Sequence, residues 1–249
     1  MNDNAELCGL FGKVPHQADF VSRHLPEGFI EYWHVWLQSG VSVSREQLGE
    51  DWLELYLTSP VWHFAIGAGV CADQAVVGVL IPSVDEIGRY FPLTVAHAGS
   101  HRPWPALLSG EAWYRQAEQV ALSALDEETG YIRLIEALEA LPTPEFEALP
   151  RYRTLPGGNG ASKAWVIENK DAAPSRDMAL GLLEKVYGRL LGGYSLWWTA
   201  GSEHVAPCTL VCAGLPETGQ MAAMFDGGWR RWGWSSEEVF DRSETGVSV

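Results

Sequence analysis

A chain of 249 residues with 47% hydrophobic and 20% charged residues can bury a sizeable core, which excludes a disordered or fibrous protein. Its 17 Lys/Arg against 32 Asp/Glu leave a net charge of −15, and self-repulsion at that charge disfavours nucleic acid and anionic membrane as partners. Four cysteines (Cys8, Cys71, Cys208, Cys212) are too few and too scattered for a disulfide framework, and twelve tryptophans point to an aromatic core. The charge is uneven. Residues 1–140 hold 7 basic and 19 acidic side chains, a balance of −12, while residues 141–249 hold 10 and 13, a balance of −3. An acidic first part suits a partner with a basic face, or is simply a solvated surface. The first twelve residues carry Asp3 and Glu6 but no Lys or Arg, so the basic leader of an export signal is missing and a cytoplasmic location is expected.

In chain order, Leu7–Val14 is a short apolar run around Gly9 and Gly12 and reads as the first strand. Phe29, Tyr32, Trp33, Trp36 and Leu37 then recur at helical spacing, with Pro26 where a first helical turn tolerates it. Trp52, Leu55 and Tyr56 continue helical spacing until Ser59-Pro60. Val61–Ala68 and Ala75–Ile81 are β-rich runs flanking a turn at Gly69–Gln74, which predicts an antiparallel hairpin rather than a membrane span. Phe91–His97 adds a third strand, and helices are predicted over Leu107–Leu125 and Tyr131–Leu141.

Pro142, Pro144, Pro150, Pro156 and Gly157-Gly158-Asn159-Gly160 mark a linker or long loop over 142–163. Beyond it come a strand at Ala164–Ile167, a helix over Arg176–Leu191, and strands at Tyr194–Thr199 and Pro207–Ala213. In the last of these, Cys208 and Cys212 share one face. The sum is an α+β layered fold, with a central mixed, mainly antiparallel sheet flanked by helices. The expected division is an amino-terminal domain over 1–141, a carboxy-terminal part over 164–234 packed on the same core, and a polar tail over 235–249.

No catalytic constellation stands out. G-x-S-x-G, H-E-x-x-H, C-x-x-C and G-x-G-x-x-G are all absent, and Gly157–Lys163 lacks the spacing of a phosphate-binding loop, so no cofactor is expected. His97 and His101 lie four apart, but no third ligand lies close in sequence, and ordinary loop histidines are the plainer reading. Two segments are unusual. One is Gly9-Leu10-Phe11-Gly12-Lys13-Val14-Pro15 with Asp19-Phe20 and Arg23; the other runs from Pro82 through Asp85, Gly88 and Arg89 to Leu93. Each mixes glycine, proline, aromatic and charged residues beside a strand, as site-building loops do. The structural alternative has Gly88 supplying a positive φ and Asp85 capping a turn or pairing with Arg89. Lys13, Asp19, Arg23, Asp85 and Arg89 are therefore the candidate binding or loop-organising residues.

The same two segments resemble the TagF family of type VI secretion-associated proteins. The first is similar to its amino-terminal G-[FY]-[FY]-G-K-[LV]-P…G-D-F signature, and Pro82–Leu93 to its P-S-V-D-x-[VI]-G-R-[YF]-F-P-L signature. Trp33 with Trp36-Leu37-Gln38, Ser59-Pro60-Val61-Trp62, Ser195–Thr199 and Cys212–Pro216 fit the family as well, so the resemblance spans about residues 7–230. Ala18 departs from the glycine usual before Asp-Phe. The resemblance implies a non-enzymatic repressor that acts after translation by binding the forkhead-associated scaffold protein of the secretion system. Some relatives are fused to a phosphatase domain, and no phosphatase motif occurs in this sequence. The alternative is a small anionic-ligand binder or an uncharacterised enzyme built on Lys13, Asp19, Asp85 and Arg89.

Overall fold

A computed structural model describes residues 7–126, 129–147, 149, 152–153, 166–167 and 176–234. The glycine cluster at 157–160, residues 164–165 and the tail from 235 lie outside the described residues. Among the described residues the strands are β1 (Gly9–Gly12), β2 (Val21–Arg23), β3 (Trp62–Ile66), β4 (Ala75–Ile81), β5 (Leu93–Gly99), β6 (Tyr152–Arg153), β7 (Val166–Ile167), β8 (Tyr194–Thr199) and β9 (Cys208–Ala213). The helices are α1 (Glu27–Leu48), α2 (Trp52–Leu57), α3 (Pro103–Ser109), α4 (Glu111–Ser123), α5 (Gly130–Glu139), α6 (Arg176–Leu190) and α7 (Ala223–Asp226). Seven strands form one sheet in the order β2-β1-β5-β4-β3-β8-β9, and β6 pairs with β7 separately. Every described pairing is antiparallel. The expected α+β layered architecture is the one observed, and β8 and β9 hydrogen-bond into the same sheet as the strands of the first half.

Both faces of the sheet are covered, and that explains the sequence of β4. Its seven residues, Ala-Val-Val-Gly-Val-Leu-Ile, are all buried, because alternate side chains enter two different cores. Val76 and Leu80 face α1, α2 and α7; Val77, Val79 and Ile81 face α3, α4 and α5. The first core is aromatic. Trp33 of α1 is fully buried, with ring centroids 5.2 Å from Phe29, 4.7 Å from Trp36, 5.1 Å from Phe64 and 6.0 Å from Trp197. Its indole N–H donates to Thr94 Oγ1 at 2.8 Å, so the one polar atom of the ring is satisfied where it is buried. Gly78 makes room for these rings, since a Cβ there would come within 2.7 Å of the Phe64 ring.

The carboxy-terminal part closes over α1. Trp36 donates to the Pro216 carbonyl at 2.8 Å, and the Gln47 amide donates to the Gly219 carbonyl at 2.9 Å. The helix expected over Leu107–Leu125 is two helices. Pro103 can open α3 because a first turn needs no N–H from it, and Gly110 then separates α3 from α4. A side chain at Gly110 would meet the Phe146 ring at 2.7 Å. Cys208 and Cys212 do share the face toward the aromatic core, as free thiols. Among the described residues, no helix is long and apolar enough to cross a membrane.

Truncating the central tryptophan, Trp33→Ala, is expected to destabilise the fold by about 3–5 kcal/mol, read as a lower urea midpoint with little change in slope. A loss under about 1 kcal/mol would show that Trp33 is not central to the core.

Candidate functional site

The two unusual segments meet in space. Gly12 ends β1 at a φ of 142°, and a Cβ there would sit 2.2 Å from the Pro92 carbonyl oxygen. Only glycine allows that close approach, which brings Lys13 against the loop between β4 and β5. This loop is a tight hairpin. Val84 bridges Tyr90, the Asp85 N–H donates to the Arg89 carbonyl at 3.0 Å, and the Gly88 N–H returns to the Asp85 carbonyl at 3.0 Å. Gly88 has a φ of 83°, the left-handed conformation that the turn requires.

At the centre lies the Asp85 carboxylate, with no exposed side-chain surface. Its Oδ2 accepts from Lys13 Nζ at 2.8 Å and from Arg89 Nε at 2.7 Å. Its Oδ1 accepts from the backbone N–H of Ile87 at 3.1 Å and of Arg89 at 2.7 Å. Lys13 is buried as well, and its ammonium donates a second bond to the Ala18 carbonyl at 2.9 Å, to which Arg89 Nη2 also donates. The Arg89 side chain remains 54% exposed. Burial opposes the charge on Asp85, but the donors from Lys13 and Arg89 outweigh it and hold the carboxyl well below the usual carboxylate range.

The cluster extends inward. Ser83 Oγ donates to the Lys13 carbonyl at 2.8 Å, while Tyr56 Oη donates to the Ser83 carbonyl at 2.9 Å and accepts the Ser83 N–H at 3.0 Å. It extends outward through Phe20, whose ring centre lies 4.4 Å from Lys13 Nζ. Phe20 packs 5.7 Å from Phe11, 4.8 Å from Phe91 and 4.9 Å from His34, yet stays 41% exposed.

Of the residues singled out in the sequence, Lys13, Asp85 and Arg89 converge. Asp19 and Arg23 stand exposed on the neighbouring loop and strand and, among the described residues, join no ion pair. Ala18 has no positive φ, and its contribution is a backbone carbonyl that any residue supplies, so glycine is not needed there. Ser83, Tyr56 and the Ala18 carbonyl escaped sequence reasoning. Ser83 lies inside the second signature, but nothing local marks it as the link to Lys13.

The arrangement organises loops better than it performs chemistry. Four donors occupy the lone-pair positions of Asp85, leaving none with which to take a substrate proton. Three of the protein's open cavities lie elsewhere. One of about 520 Å³ is lined by His97, His101, Arg102 and Phe146; one of about 400 Å³ by Phe29 and Cys71; one of about 350 Å³ by Val120 and Leu141. None has Lys13, Asp19, Asp85 or Arg89 in its wall. In the first, His97 Nδ1 and His101 Nε2 are 2.8 Å apart, and burial together with the neighbouring His97 pushes the His101 imidazole down to about 4. Among the described residues, no three His, Cys, Asp or Glu side chains are placed to share a metal ion.

Fold and site together define an α+β layered protein in which a buried ion cluster clasps two surface loops at one side of the sheet. Residues 9–141 match the family model of the TagF N-terminal domain, type VI secretion system-associated, and the chain belongs to that family. Its structure is similar to the crystal structure of PA0076 from Pseudomonas aeruginosa PAO1, with a TM-score of 0.78 and 32% sequence identity over 94% of this chain and 98% of that one. No curated protein sequence matches the chain.

Replacing Asp85 with Asn strands the Lys13 charge in a buried site and should cost about 3–5 kcal/mol of stability. Asp85 ionises more readily folded than unfolded. Its stabilisation is therefore complete above the unfolded carboxylate range, near about 4, and is lost as the pH falls from there through the folded-state value. Urea titrations at several pH values should show a steep acid limb in the wild type that flattens in Asp85→Asn; identical limbs would contradict the assignment.

Proposed function

We propose that this protein is a non-enzymatic, cytoplasmic repressor that restrains assembly or firing of a type VI secretion system by binding the system's forkhead-associated scaffold protein. Membership of a type VI secretion-associated family carries this reading. The clasp supports it, because Lys13 and Asp85 satisfy each other internally and line none of the three cavities described above, as expected of a framework beneath a binding surface. The net charge of −15, concentrated in residues 1–140, suits a basic face on the partner.

The test is co-purification from the cytoplasm of the host at low and high salt. The scaffold protein should come down with the chain, and more weakly at high salt, because exposed charges lose their reach as the Debye length shortens. If the scaffold is absent and unrelated metabolic enzymes or a bound small molecule are recovered, the repressor reading falls in favour of a ligand-binding one.

A further inference from the structure

The clasp has an outward consequence. Ile87 sits at the tip of the hairpin between β4 and β5 with 65% of its surface exposed, although its own backbone N–H is fastened to Asp85 Oδ1. Single exposed apolar residues are ordinary on protein surfaces. An exposed isoleucine held at the apex of a turn by a buried carboxylate is different, because its position is fixed while its side chain contributes little to the fold. The loop carrying Phe20 is stitched to the same hairpin. The Glu86 N–H donates to the Gln17 carbonyl at 3.4 Å, and Arg89 and Lys13 both donate to the Ala18 carbonyl. Two exposed apolar side chains thus stand on loops that one ion cluster holds together.

On these loops and the start of α1 the exposed acids outnumber the bases. Asp19 and Glu86 precede Phe20 and Ile87 on the two loops, and Glu27 and Glu31 lie on the first turns of α1, ahead of His34, whose ring packs on Phe20. Arg23 and Arg89 are the exposed bases on these segments, and since Asp85 is shared between Lys13 and Arg89 the clasp itself carries one net positive charge, which leaves the four exposed acids ahead by two. An apolar anchor inside an acidic surround is complementary to an apolar socket edged by lysine or arginine.

We infer that Ile87, with Phe20, is the preformed anchor by which this protein docks into a basic-edged apolar socket on its protein partner. This inference rests on the scaffold-binding reading above and adds which side chains enter the partner. Because the clasp has already ordered both loops, docking loses little conformational freedom, and a small apolar contact can contribute much of the affinity.

The experiment measures binding of the purified full chain to the purified forkhead-associated scaffold of the same host. Ile87→Asp should weaken the complex by on the order of 30-fold or more, while its thermal midpoint stays that of the wild type. Ile132→Asp, an equally exposed position on α5 in the opposite helical layer, should leave affinity unchanged. Joint reversal of Asp19 and Glu86 to lysine should weaken binding by about tenfold at low salt, with a smaller effect at high salt. Wild-type affinity in Ile87→Asp overturns the anchor and leaves the scaffold reading standing. Unchanged or tighter binding after the charge reversal overturns the basic-edged socket. Failure of the wild-type chain to bind the scaffold overturns the reading and the anchor together.

Discussion

The Asp85 carboxylate constrains everything around it because a buried charge has few ways to survive. Removing a carboxylate from water costs several kcal/mol, and only well-placed donors and an opposite charge offset that. Lys13, Arg89 and two backbone amides supply them, and each is useful only if its own segment holds a particular position. Lys13 fixes the exit from β1, Arg89 fixes the second half of the hairpin, and the Ala18 carbonyl beneath both cations fixes the loop before β2. Ser83 and Tyr56 carry the network on to α2. Hydrogen bonds linked in this way strengthen one another, so the loops behave as one body.

That body is attached to the sheet by close packing. Gly12 lies against Pro92, and Phe11 on β1 packs edge-on to Phe91 at 6.0 Å, so the two signature segments touch along backbone and side chains before any charge is considered. β1 pairs with β5 in the same register that brings them together. The aromatic core beneath then continues through Trp33 to Trp197 on β8, and the segment after β9 closes over α1. The carboxy-terminal strands are therefore part of the support for loops near the chain's beginning.

Much of this was legible. The run Phe29, Trp33, Trp36 and Leu37 gave α1 because one face of a long helix is buried, and the β-rich run Ala75–Ile81 gave β4 as one arm of a hairpin, though not its cover on both faces. β2 was missed, since a three-residue edge strand with only Val21 buried leaves no periodicity to detect. The break at Gly110 was missed because the apolar spacing of α3 and α4 runs on across a gap where the Ala106 carbonyl and the Phe146 and Tyr114 rings leave no room for a side chain. The Asp85–Arg89 pair was visible as a four-residue spacing. Lys13 was picked out as unusual, but its partner lies 72 residues away, and only the β1–β5 pairing brings the two together. Asp19 and Arg23 looked like members of the same cluster because sequence proximity to Lys13 says nothing about which way a loop turns.

A plug of apolar side chains could have joined these loops at comparable or lower energetic cost, since buried ion pairs often contribute less stability than hydrophobic replacements of similar volume. What an apolar plug lacks is direction. Charge-assisted hydrogen bonds require particular atoms at particular distances, so each donor fixes the rotation of the segment that carries it as well as its proximity. At the hairpin this matters because the turn residues after Asp85 are otherwise held by short-range backbone bonds and one long bond from the Glu86 N–H to the Gln17 carbonyl, with Gly88 in a conformation that is itself permissive. By binding the amides of Ile87 and Arg89 on one oxygen and two cations on the other, Asp85 converts a flexible tip into a fixed one. The exposed surface above the clasp, Ile87 and the outer face of Phe20, is thereby held in one arrangement by the fold alone.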